Sequence, residues 1–225
     1  MKIVMKEVLL LQFIFFILIA GSGCGVTADP AESGQISDTN IYVFPDRLIT
    51  LHNYPAAHYF IKVNEDYLMV DSVPIGKGIR DSWNEFGIDE NAVKWILITH
   101  SHFDHVNSLA SFPNAEIYMS EDEVLTKEGF DVSKIKRLEE GQELSFGDMT
   151  VECIKAPGHT IGSMAFFVDG KYLFTGDAFQ VQDKGSSVFE SVLEKLRETI
   201  NKSTYILTTH SGYYTKEEFF YPTAD

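Results

Sequence analysis

The reading of the chain turns on Ile96-Leu97-Ile98-Thr99-His100-Ser101-His102-Phe103-Asp104-His105. The apolar run from Trp95 to Ile98 predicts a buried strand, which stops abruptly at three imidazoles and one carboxylate. Residues two apart on an extended segment point to the same side, so His100, His102 and Asp104 converge while His105 approaches from the flank. A single histidine at a strand end is ordinarily a surface or core residue. Four liganding residues within six positions instead point to a metal site. Imidazole and carboxylate without thiolate form a ligand set that suits zinc.

On either side of this stretch the pattern is strand-rich. Upstream, strands are expected over Ile41 to Phe44, Arg47 to Thr50, His58 to Val63 and Tyr67 to Asp71, the last two joined by a turn at Asn64-Glu65-Asp66. A helix is expected over Ile75 to Phe86, capped at Gly87, ahead of the metal strand Ala92 to Ile98. A short helix follows Asp104 through Ala110, and Ala115 to Met119 reads as a strand. Ser120-Glu121-Asp122-Glu123 has the form of a capping box opening another helix. Further strands are expected near Ile135 to Leu138, Glu143 to Phe146, Met149 to Ala156, Ser163 to Val168 and Tyr172 to Thr175, with Asp169-Gly170 as a hairpin turn. Val188 to Ile200 has helical apolar spacing, and Tyr205 to Thr208 is the last strand of this reading. Pattern alone gives an α/β fold with much antiparallel sheet.

His100-Ser101-His102-Phe103-Asp104-His105 resembles the His-x-His-x-Asp-His signature of the metallo-β-lactamase superfamily. Three later segments extend the resemblance, each at the end of an apolar strand: Pro157-Gly158-His159-Thr160, Thr175-Gly176-Asp177, and Thr208-Thr209-His210-Ser211-Gly212. The resemblance covers about Ile41 to Tyr214. It implies a four-layer αββα sandwich, with His100, His102 and His159 holding a first metal and Asp104, His105 and His210 a second. Asp177 would bridge the two. It further implies two zinc ions, with iron or manganese as alternatives for the same ligands, and a hydroxide between them as nucleophile. Asp104 would carry the proton to the leaving group. His52 and His58 are left outside the site; each is expected to be a satisfied surface or core histidine, and His58 could also contact substrate.

At 225 residues, 44% hydrophobic and 13% aromatic, the chain can bury one sizeable core. Lys2 and Lys6 precede an apolar segment, Val8 to Ala20, broken only by Gln12, and Gly21-Ser22-Gly23-Cys24 follows. Residues 1–23 therefore read as a signal peptide. Cys24 resembles the acylated cysteine of a bacterial lipoprotein, with cleavage after Ala28 or an uncleaved anchor as alternatives. The lipoprotein reading places the protein outside the cytoplasm on a membrane. Residues 24–40 read as a flexible tether and 41–225 as the folded domain. If Cys24 is acylated or removed, Cys153 has no partner for a disulfide, and its place beside Val151 on one strand face predicts a small buried hydrophobe.

The formal charge of −15, with no cluster of Lys or Arg, argues against nucleic acid as substrate and leaves a small molecule. The expected activity is hydrolysis of a small ester, lactone, thioester or amide. The competing classes are an iron-dependent oxidoreductase of the same fold, similar to persulfide dioxygenases, and a metal-binding protein without catalysis. Asp177 stands where true metallo-β-lactamases generally have Cys or Ser. Glyoxalase II enzymes match these ligands and add a C-terminal helical domain that binds glutathione; with fifteen residues after His210, no such domain is expected here.

Overall fold

The computed structural model describes residues 34–37, 41–43, 48–53, 56–76, 80–81, 83–84, 88–125, 131–180 and 184–220. Two sheets form the centre. The first has eight strands in sequential order: β1 (Gly34–Ser37), β2 (Ile41–Val43), β3 (Leu48–Asn53), β4 (Ala56–Val63), β5 (Asp66–Val70), β6 (Val93–Ile98), β7 (Glu116–Ser120) and β8 (Ile135–Leu138). Pairing is antiparallel as far as β5 and parallel from β5 to β8. The second sheet comprises β9 (Glu143–Phe146), β10 (Met149–Lys155), β11 (Met164–Val168), β12 (Tyr172–Gly176), β13 (Tyr205–Thr208) and β14 (Gly212–Thr215), in the order β14-β13-β12-β11-β10-β9. It is antiparallel except for β12 beside β13, which run parallel because a helix crosses between them.

Alternation of side chains sorts the apolar residues into three layers. Leu68, Val70 and Leu97 of the first sheet meet Val151, Cys153, Phe166 and Phe174 of the second in the central layer. Trp83, Val106, Leu109 and Phe112 cover the outer face of the first sheet over Phe60, Met69, Ile96 and Ile98. On the far side, helix α2 (Ser187–Lys202) lays Val192, Leu196 and Ile200 on Ala165, Leu173 and Ile206. Helix, sheet, sheet, helix is the expected four-layer order. Cys153 is fully buried in the central layer, and burial pushes its thiol up to about 12.

Several local expectations are corrected. The helix after β6 is a single turn, α1 (Phe103–Val106), with His102 as its N-cap, and a 3-10 turn at Leu109–Ser111 takes over the remainder. Asp104 thus lies inside the first turn rather than ahead of it. Ser120 does not open a helix over the next five residues: its Oγ accepts from Asp122 N at 3.2 Å, closing a side-chain turn. Arg80, Asp81, Trp83 and Asn84 are helical but Ile75 and Gly76 are not, and Gly87 lies outside the described residues. Strand β14 and a short helix α3 (Lys216–Phe220) extend the chain beyond the last expected strand. Of the segment read as a tether, Gly34–Ser37 forms the edge strand β1. Residues 1–33, including the signal pattern and Cys24, lie outside the described residues.

Candidate metal centre

All four ligand-bearing segments leave their strands at one end of the sandwich. Strand β6 runs through Thr99 into the His100–His105 stretch, and His159 sits in the loop between β10 and β11. Parallel pairing of β12 with β13 matches Gly176 to Thr208, so Asp177 and His210 emerge beside one another. A bond from Met164 N to Thr99 O, 2.8 Å, ties the two sheets together at this end. Gly176 has φ 53, and a Cβ there would lie 2.5 Å from Thr99 Oγ1, so both the turn and the close approach require glycine.

The structure brings all seven predicted residues together. His100 Nε2 and His159 Nε2 lie 3.0 and 2.9 Å from His102 Nδ1, so three ring nitrogens face one point. A second group is formed by Asp104, His105 and His210, with Asp104 Oδ2 3.9 Å from His105 Nε2 and 3.3 Å from His210 Nε2. Asp177 lies between the groups. Its Oδ1 is 3.4 Å from His105 Nε2, and its Oδ2 is 3.5 Å from His159 Nε2 and 3.2 Å from His210 Nε2. His105 Nε2 and Asp177 Oδ1 are buried without a hydrogen-bond partner among the described residues. Buried polar atoms left unpaired are costly, and here the two orphans lie 3.4 Å from each other at the junction of the ligand groups. The donor set therefore fits divalent cations.

Charge is concentrated at the junction of the two groups. Burial opposes a charged His105, but the carboxylates of Asp71 and Asp177 outweigh it and carry the imidazole up to about 10. His100, buried and beside His105, is pushed down to about 2. Burial works to raise Asp177, yet the close approach of His105 and His210 holds its carboxyl well below the usual range.

Three contributors were not anticipated from the sequence. Asp71, 1% exposed and with φ 58, accepts from Thr99 N at 2.8 Å, Thr209 Oγ1 at 3.3 Å and His105 Nδ1 at 2.7 Å. With a metal ion in place of the Nε2 proton, Asp71 would hold the remaining proton on Nδ1 and leave Nε2 directed at the centre. Its signal was present, since Asp71 ends an apolar strand just as Asp177 does. Glu123 is buried against the loops that carry His100, His102 and His159. Gln180 Nε2 donates to Asp177 Oδ2 at 2.5 Å.

A cleft of about 350 Å³ opens beside the centre, lined by Gly158, His159, Asp177, Ala178, Ser186, Val188 and Phe189. Phe103 and Ile161, each within two residues of a ligand, are 71% and 81% exposed. His58 does not line this cleft. It is a core histidine against Phe60 and Trp83, but not the fully satisfied one expected: its Nδ1 is buried without a hydrogen-bond partner among the described residues, and burial lowers its pKa to about 3. The side chain of His52 lies outside the described residues.

A family model described as the Metallo-beta-lactamase superfamily matches residues 55–210. A probable polyketide biosynthesis zinc-dependent hydrolase, BaeB, of Bacillus velezensis is 33% identical over 145 residues, 59% of this chain and 62% of that protein. A human hydroxyacylglutathione hydrolase-like protein is 36% identical over 100 residues, 40% of this chain and 32% of the relative. The chain spans about 60% of the length of the first of these relatives and a third of the second. Among solved structures, ETHE1 from Myxococcus xanthus superposes with TM-score 0.59 at 20% identity, over 76% of this chain and 80% of that one. A B3 metallo-beta-lactamase with an active-site glutamic acid also gives TM-score 0.59, at 16% identity over 75% and 80%. These two likenesses bear on the fold alone.

Proposed function

The chain belongs to the metallo-beta-lactamase superfamily, and on that premise we propose that it is a dinuclear zinc hydrolase of a small ester, lactone, thioester or amide. The observation that carries this reading is Asp177, whose two oxygens lie within 3.5 Å of nitrogens from both ligand groups. His100, His102 and His159 would hold one ion, Asp104, His105 and His210 the other, and Asp177 both. Zinc bound in this way acidifies a shared water and polarises the substrate carbonyl. The relatives named as hydrolases support hydrolysis over redox chemistry.

The chain's own residues do the rest. Asp71 keeps His105 in the tautomer that presents Nε2. Asp104 is the more solvent-exposed of the two ligand carboxylates, with a side chain 37% exposed against 4% for Asp177. It takes the proton released when water attacks and returns it to the leaving oxygen, sulfur or nitrogen, so that the proton balance closes. The cleft volume lies at the low end for ligand pockets, and Val188 and Phe189 in its wall, with Phe103 and Ile161 nearby, favour a small substrate carrying an apolar group. The sequence pattern of residues 1–24 supports export and a lipid anchor on Cys24. No helix among the described residues is long and apolar enough to cross a membrane.

The test is a hydrolysis screen of the zinc-loaded protein against esters, lactones, thioesters, unstrained amides, β-lactams and phosphodiesters. Turnover of one of the first four classes is expected, with β-lactam kcat/KM below about 10⁴ M⁻¹s⁻¹. Purified protein that holds iron and shows redox bands, or hydrolyses nothing when loaded with zinc, would refute the proposal.

A further inference from the structure

Glu123 follows β7 on a segment anchored to the neighbouring strand: Arg137 Nη1 donates to Glu123 O at 2.8 Å and to Ser120 O at 3.2 Å, and Glu121 N donates to Leu138 O at 3.0 Å. The carboxylate turns inward and is 4% exposed. Its Oε2 accepts from Ser101 N at 3.0 Å, and its Oε1 accepts from Gly162 N at 3.2 Å and from Thr160 Oγ1. Ser101 stands between His100 and His102, and Thr160 follows His159 directly. One side chain thus spans the two loops, far apart in sequence, that carry the three imidazoles of the first group. The contact is close enough to require Gly162, where a Cβ would lie 2.7 Å from Glu123 Cγ and N and 2.8 Å from Asp122 C. Ser163 Oγ completes the loop by accepting from Thr160 N at 3.0 Å.

We propose that Glu123 is a positioning residue for the first metal site: it sets the spacing of His100, His102 and His159 by holding the backbone on either side of them. The inference rests on the dinuclear reading above. Its physical basis is that ligand geometry must be held to a few tenths of an ångström for a metal to bind well, and hydrogen bonds behind the ligands supply that restraint. Among the described residues the Glu123 carboxylate bonds to Ser101 N, Gly162 N and Thr160 Oγ1 and to no ring nitrogen, and Glu123 is not in the cleft wall, so its effect must pass through the loops.

The experiment is zinc titration of the full chain against a chromogenic chelator, with Glu123→Gln and Thr160→Val beside the wild type. The amide of Glu123→Gln must turn a donor toward Ser101 N, Gly162 N or Thr160 Oγ1. It is expected to weaken one of the two zincs by about 10- to 100-fold and leave the other at wild-type affinity. Thr160→Val removes one of the three bonds and is expected to weaken the same zinc by about 2- to 10-fold. Melting curves with and without zinc supply the second readout, because a positioning role shrinks the rise in Tm that zinc produces. Equal lowering of both Tm values, with both zincs bound as in wild type, would overturn the proposal. A wild type holding a single zinc would defeat the dinuclear reading instead. Glu123 is then judged on that zinc, and unchanged affinity in both variants overturns its role.

Discussion

Replacing Asp71 by Asn probes how the second metal group is held without disturbing the backbone. Asp71 sits at φ 58, a conformation that Asn adopts readily, and the two side chains have the same shape. What changes is the pattern of donors. Oδ1 accepts from Thr99 N at 2.8 Å and Oδ2 from His105 Nδ1 at 2.7 Å, so the amide nitrogen of Asn must face one of these donors. If it faces His105, the imidazole escapes the conflict only by moving its proton to Nε2, the nitrogen aimed at the metal. If it faces Thr99, a buried N–H loses its acceptor. A hydrogen bond to a charged group contributes about 1.5–3 kcal/mol, roughly 10- to 150-fold in an equilibrium constant. Chelator competition should therefore show the Asp71→Asn protein losing one zinc at about 10- to 100-fold lower chelator demand, with the other zinc unchanged. Two zincs held with wild-type affinity would refute the claim that Asp71 fixes the His105 tautomer.

Gly176→Ala places a Cβ against Thr99 Oγ1 at a left-handed φ, and urea unfolding of the zinc-free protein should show a loss of about 2–5 kcal/mol; a loss under about 1 kcal/mol would mean that Thr99 yields freely. His58 has its pKa lowered to about 3 by burial, so the unfolded chain binds its proton first as pH falls. That contribution to stability is complete above about pH 6.5 and is lost toward pH 3, at up to about 1.4 kcal/mol per pH unit. His58→Gln removes the titrating group, so its stability should fall less steeply than wild type across this range; parallel pH curves would contradict the assignment.

The metal stretch was legible because strand periodicity and a run of ligands coincide in ten residues, and Asp177 because an acid ending an apolar strand has no packing role. Asp71 ends the strand Tyr67 to Asp71 in the same way, but its partner His105 is 34 residues distant, and only the parallel pairing of β5 with β6 brings them together. Glu123 was misread for a related reason. A Ser with an acid three residues later satisfies a local capping pattern, yet the carboxylate is drawn instead to Ser101 and Gly162, 22 and 39 residues away. Tertiary donors won over the local one. The four layers themselves were legible only through the family resemblance, because period-2 alternation says which face of a strand is buried but not against which sheet. The ending at β14 and α3 was missed because Gly212–Thr215 is short and α3 has no fully buried residue to give it a periodic signal.

Asp177 joining two metal sites is what makes the centre dinuclear. Metal analysis of the purified wild type and of Asp177→Asn, with hydrolysis of the substrate class found in the screen measured on both, tests this in one comparison. The predicted result is two zincs per wild-type chain, a stoichiometry falling toward one in the variant, and activity lower by at least about 100-fold. A wild type with fewer than two metals, or a variant that keeps two zincs and full turnover, would contradict it.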